Sequence, residues 1–163
     1  MIAYRKIKDS MIYETEPVSV QVPVTPEQEL DLIEASMDAA TDAGTVEILS
    51  AGAVGSIPCC TSCGKFELRE PTRAEHRSRK IKIQSPMETA KRKRGTCADL
   101  CVYNAALRNA KFHMGKVSSP AHVELLPHHR GPGKHHAITV TGEGKVGDPA
   151  AKAKPGEGCP ICS

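Results

Sequence analysis

The sequence predicts an α+β fold: a small metal-stapled domain with two to three helices, a few short strands and long irregular segments. Three observations carry that expectation. Two stretches combine helical periodicity with recognisable caps. Several short runs alternate apolar and polar residues, the period of a strand. Seven cysteines fall mostly into close pairs, in a 163-residue chain with 3% aromatics and no Trp. Aromatic side chains bury the most area per residue, so a core without them is thin and needs a staple.

In chain order, residues 2–8 and 18–24 read as strands. Val18, Val20, Val22 and Val24 alternate strictly, but Pro17 and Pro23 confine that run to an edge or an extended arm. Thr25-Pro26-Glu27-Gln28 is a helix start: Thr25 caps, Pro26 fits the first position and Gln28 closes the box. Leu30, Ile33, Met37 and Ala40 then share one face, and Gly44 offers a stop, so a helix is expected over 26–43. Residues 45–49 (TVEIL) read as a strand, 50–57 as a loop and 65–69 as a strand. Residues 70–84 are basic and unsettled, with a short strand at 80–83. Ser85 caps a short helix expected to run to about Arg94 and end at Gly95. Thr96 caps a second helix to about Phe112, with Leu100, Tyr103, Leu107 and Ala110 as its apolar stripe. Beyond Gly115 the composition predicts loop, apart from a strand at 137–141. The chain therefore divides into an acidic strand–helix–strand region over 1–50, a cysteine and basic region with a helix pair over 51–114, and a loop-rich His/Gly/Pro tail over 115–163.

The cysteines are the candidate metal ligands. Cys60 and Cys63 are two residues apart inside Pro58-Cys59-Cys60-Thr61-Ser62-Cys63-Gly64-Lys65, and Cys159-Pro160-Ile161-Cys162 repeats that spacing. A C-x-x-C turn lets two thiolates hold one ion while backbone amides point at the sulfurs, and Gly64 permits a positive φ after it. Locally the two turns resemble the knuckles of zinc-ribbon and rubredoxin-like sites. That resemblance covers about a dozen residues and implies a closed, structural four-cysteine site. Cys97 and Cys101 lie one helical turn apart, and the helix start favours thiolate. They are the competing partners for Cys60 and Cys63. Zinc is the expected metal, with an iron–sulfur cluster as the alternative. His128, His129, His135 and His136 flank a Gly-Pro-Gly turn and are candidates for a second site.

Charge is strongly uneven. Residues 1–50 carry three basic and ten acidic residues, a net −7; residues 69–94 carry ten basic and three acidic, a net +7. Lys91, Arg92, Lys93 and Arg94 form the densest run and could neutralise phosphates. No aromatic residue lies within 69–94, so base stacking is not expected there.

The chain opens without the apolar core of a signal peptide, and no apolar run is long enough to span a membrane. A reducing setting is expected, cytoplasmic or within a particle assembled there. No Gly-rich phosphate loop or Ser nucleophile motif appears. His122-Val123-Glu124 with Cys159 and Cys162 resembles the H-x-E and C-x-x-C of zinc deaminases, but Gly158 stands where that family has Pro. A histidine–metal nuclease built on His128 to His136 lacks a nearby Asn or a paired carboxylate to position the ion. The expected function is therefore non-enzymatic: a metal-stapled structural or interaction protein in a larger assembly, such as a virion. Its partners would be other protein subunits or copies of itself. The alternative is a zinc-ribbon-like nucleic-acid-binding protein using 69–94.

Overall fold

The computed structural model describes residues 12–15, 37–50, 60–78, 80–127 and 135–147. The strands expected at 2–8 and 18–24, the helix start at 26–36, the 128–134 turn and the Cys159–Cys162 knuckle lie outside those residues. In order, the elements are β1 (Ile12–Thr15), α1 (37–50), β2 (Glu67–Leu68), α2 (Arg73–Ser78), β3 (Lys80–Ile83), α3 (Pro86–Arg92), β4 (Arg94–Gly95), α4 (Cys97–His113), β5 (Ala121–Pro127), β6 (His135–Thr141) and β7 (Val146–Gly147). The class is α+β, as expected. β1 pairs with β3 and β2 with β4, both in parallel, while β5, β6 and β7 form an antiparallel sheet.

Helix α4 is the axis. Thr96 caps it, and Asp99 returns the bond in a full capping box. Every residue from Ala98 to Arg108 is buried, so the helix is enclosed rather than laid on a core by one stripe. Its alanines let neighbours approach closely. One cluster joins Cys101, Val102 and Ala105 to Met37, Ile81, Ala121, Val123 and Ala137. A second joins Tyr103, Ala106, Leu107 and Ala110 to Ile48 and Cys60. Residues from all three sequence regions thus share the core around α4. Buried Arg108 is satisfied by the Ser119 carbonyl at 2.9 Å and by Glu143 at 3.4 Å.

Three expectations are corrected. Residues 45–49 are helical, because α1 continues through Gly44 to residue 50. Thr41, Thr45 and Ile48 are buried while Val46 is 64% exposed, which is a helical period, and the Thr41 and Thr45 hydroxyls donate to carbonyls one turn back. Gly44 is there for close approach: a Cβ on it would sit 2.0 Å from Pro86 Cγ. Helix α3 ends at Lys93, which takes the left-handed conformation (φ 50°) and donates to the Thr89 carbonyl, so Gly95 belongs to β4. The stretch after Gly115 holds β5 and β7 besides the expected strand, which itself begins at His135. Helix α2 lies in the stretch left unsettled. Thr72 and Glu75 box its start, with Glu75 N–H on Thr72 Oγ1 at 3.2 Å and Thr72 N–H on Glu75 Oε1 at 2.9 Å. That T-x-x-E spacing is the signal that locates it.

Candidate active site at the start of the central helix

Cys97 is the first residue of the 17-residue helix α4. The turn that presents it is held tightly. Thr96 N–H donates to Asp99 Oδ2 at 2.9 Å, and Asp99 N–H donates to Thr96 Oγ1 at 3.3 Å. Asp99 also accepts from the Gln84 backbone N–H at 2.8 Å and from Gln84 Nε2 at 3.2 Å. Asp99 is fully buried. Burial pushes its carboxyl up from the usual range, opposed by the bonds from Gln84 and Thr96 and by the Arg69 charge. Cys97 itself is half-buried and packs against the cluster containing Ala98, Cys101 and Ala137. A thiol at a helix N-terminus is favoured as thiolate, since the unpaired amides and the dipole stabilise the anion.

The neighbouring strand carries the second group. Thr139 Oγ1 donates to the Cys101 carbonyl at 3.2 Å. Further along the strand, Thr141 pairs with Ala121, whose N–H is held by Asn109 at 2.8 Å. Moving back along β6 therefore moves toward the start of α4. Ala137 lies in the cluster that Cys97 packs against, and His136 and His135 precede it as the first two residues of the strand. These histidines were expected in a loop as metal candidates; they belong to β6. On the far side, β7 pairs Val146 with Val140 and Gly147 with Thr139, and the sequence continues with Asp148. The cue to this arrangement was present: a Thr-Cys helix start followed by a histidine-bearing strand. Read as metal spacing, Cys97 was paired with Cys101 instead.

The other cysteine pair occupies a different place. The Cys63 N–H points at Cys60 Sγ (3.4 Å), Gly64 N–H donates to the Cys60 carbonyl at 2.7 Å and Phe66 N–H to the Thr61 carbonyl at 3.0 Å. The turn is pinned to α4 by two bonds: Thr61 N–H to Asn104 Oδ1 and Asn104 Nδ2 to Thr61 Oγ1, both 2.9 Å. The positive φ falls on Lys65 (55°) rather than Gly64. At Gly64 a Cβ would meet Phe66 at 2.7 Å, so glycine serves close packing there. Cys60 and Cys63 belong to the Tyr103 cluster, whereas Cys97 and Cys101 belong to the Ala137 cluster. Among the described residues, no group of three or more His, Cys, Asp or Glu is arranged to hold a metal ion.

The basic strip is mixed in sign on the folded surface. Lys91, Arg92, Lys93 and Arg94 are all exposed. Arg92 pairs with Glu88 at 2.6 Å, and Arg69 grips Glu75 with two bonds of 2.6 and 3.2 Å. The hydrogen bond from Arg69 holds the Glu75 carboxyl down at about 2. Both pairs line an open cleft of about 720 Å³ together with Glu47, Lys82 and Gln84. His122 and Glu124 face each other at 3.0 Å on strand β5. No helix among the described residues is long and apolar enough to cross a membrane. No protein-family model, curated protein or solved structure matches the chain.

Proposed function

We propose that the chain is a thiol-dependent acyl-transfer enzyme, with Cys97 as nucleophile and a histidine at the start of β6 as its base. The observation that carries this reading is the packing of Cys97, first residue of α4, against the cluster containing Ala137, which directly follows His135 and His136. A thiol at a helix start, with histidine on the adjoining strand, is a pairing of residue types that nucleophilic acyl transfer uses.

The substrate class is a carboxamide or ester. Histidine takes the thiol proton as sulfur attacks the carbonyl carbon, and the tetrahedral oxyanion forms near the helix N-terminus. Collapse breaks the bond to the leaving amine or alcohol, which takes the proton from imidazolium. Water or a second amine then attacks the thioester, gives its proton to histidine and releases Cys97.

Alkylation with iodoacetamide at about pH 6.5, well below the ordinary thiol range, tests the site. Cys97 should react at least about tenfold faster than half-exposed Cys63. That preference should fall in the double variant His135→Ala/His136→Ala. Equal rates at the two cysteines would sink the proposal.

A second reading, a nucleic-acid-binding protein, is favoured by four consecutive exposed basic residues, Lys91 to Arg94. Their contacts would be to backbone phosphates and salt-sensitive.

A further inference from the structure

We infer that the cleft shared by α1, α2 and the start of α3 binds a small primary amine, with Glu47 as the group that holds its ammonium. The cleft measures about 720 Å³, within the roughly 300–1,000 Å³ of small-molecule sites. Ala40, Ala43 and Glu47 line it from one face of α1, spaced three and then four residues apart. Ile83 and Pro86 line it from the end of β3 and the start of α3. Gly44 lets α1 approach Pro86 closely, and Glu47 lies one turn further along the helix. The alanines leave room beside Glu47, and together with Ile83 and Pro86 they offer apolar surface to a short alkyl chain.

The carboxylates of the cleft are of two kinds. Arg69 holds Glu75 with two bonds, and Arg92 pairs with Glu88. Those two already have a cation. Glu47 differs: its Oε2 is buried and has no hydrogen-bond partner among the described residues. Shutting a carboxylate oxygen off from water without a donor is costly, and a cation drawn to the same group offsets that cost. The cation that fits is organic. Among the described residues, no group of three or more His, Cys, Asp or Glu is arranged to hold a metal ion, and hard cations need several oxygen ligands at once. An ammonium is a compact charge with three donors, matched to a single carboxylate, and it brings its own apolar body to the alanine wall. The inference is independent of the role proposed for Cys97.

The test titrates the isotope-labelled full chain with n-butylamine at neutral pH and follows its backbone amides by NMR. The expected result is a saturable shift concentrated at residues 40–47 and 82–88, which border the cleft. Sodium butyrate, with a similar body and the opposite charge, should give no saturable shift. Glu47→Gln keeps the shape, removes the charge and should weaken amine binding at least about tenfold. Shifts that do not saturate, an equal response to butyrate, displacement of the amine by magnesium chloride, or unchanged affinity in Glu47→Gln would overturn the inference. The comparison of amine with butyrate needs no substitution and so does not depend on a variant folding.

Discussion

At the scale of single residues, several positions have one physical reason each. Gly44 sits where α1 crosses the start of α3, and any Cβ would lie within 3 Å of three Pro86 carbons. Gly44→Ala should therefore cost about 1–3 kcal/mol through overpacking. In Pro86→Ala the penalty should shrink, because the nearest atom, Pro86 Cγ, is gone. A urea-denaturation cycle over the two variants measures that coupling, and a penalty unchanged in the Pro86→Ala background would remove this account of the glycine. The contact is invisible in the sequence, where Gly44 after an amphipathic run reads as a stop. Asn104 is similar: a polar residue on a helix, legible only as neutral filler, yet buried and bonded at both ends of its amide to Thr61.

At the scale of elements, local chemistry carried much of the assignment. Helix α4 was legible from its capping box and stripe, and so was α3 from Ser85, whose side chain accepts the Glu88 N–H at 3.2 Å. Strand β3 was legible from its alternation. The start of α4 also concerns the candidate site, since Thr96 fixes the turn that presents Cys97. Thr96→Ala should lose about 0.5–2 kcal/mol of stability. It should also slow Cys97 alkylation at about pH 6.5, because the amides that favour thiolate fray. Thermal melts and labelling rates read the two effects separately; an unchanged rate in a folded variant would detach the helix start from thiol reactivity. What was not legible at this scale depended on partners distant in sequence. Strand β5 alternates, with Ala121 and Val123 buried and His122 and Glu124 half-buried. It needs β6 to become a strand, and its His-Val-Glu was easier to read as a motif. The packing of Cys97 against the cluster that holds Ala137 was hidden for the same reason: it joins the start of α4 to strand β6.

For the whole molecule, charge placement predicts an acid response. Hydrogen bonds to Arg69 and to Ser118 and Ser119 hold Glu75 and Glu143 at about 2, below their unfolded range near 4.5. A carboxyl depressed by folding stabilises the native state above its unfolded pKa, and that contribution is lost as pH falls through the folded one. Stability should therefore drop between about pH 4.5 and about pH 2. Asp99 works in the opposite sense. Its carboxyl is raised by burial, so its contribution is full at low pH and is lost as pH rises through its folded value. Glu75→Gln should flatten the acid limb more than Glu143→Gln, because solvent screens the exposed Glu143. Urea midpoints across that range check the order, and equal flattening would count against it.

By itself the sequence determined the α+β class, the caps of the two helices after Ser85 and Thr96, the charge asymmetry and the cysteine pairs. All of these follow from residues within a few positions of one another, where propensity, capping and spacing act directly. Tertiary structure alone decided that α1 runs through Gly44, that α4 is enclosed on all sides, and that Cys60/Cys63 and Cys97/Cys101 belong to different cores. Those outcomes are set by which distant surfaces can pack together. A local pattern names the ligands and nucleophiles a chain carries, and packing decides which of them meet.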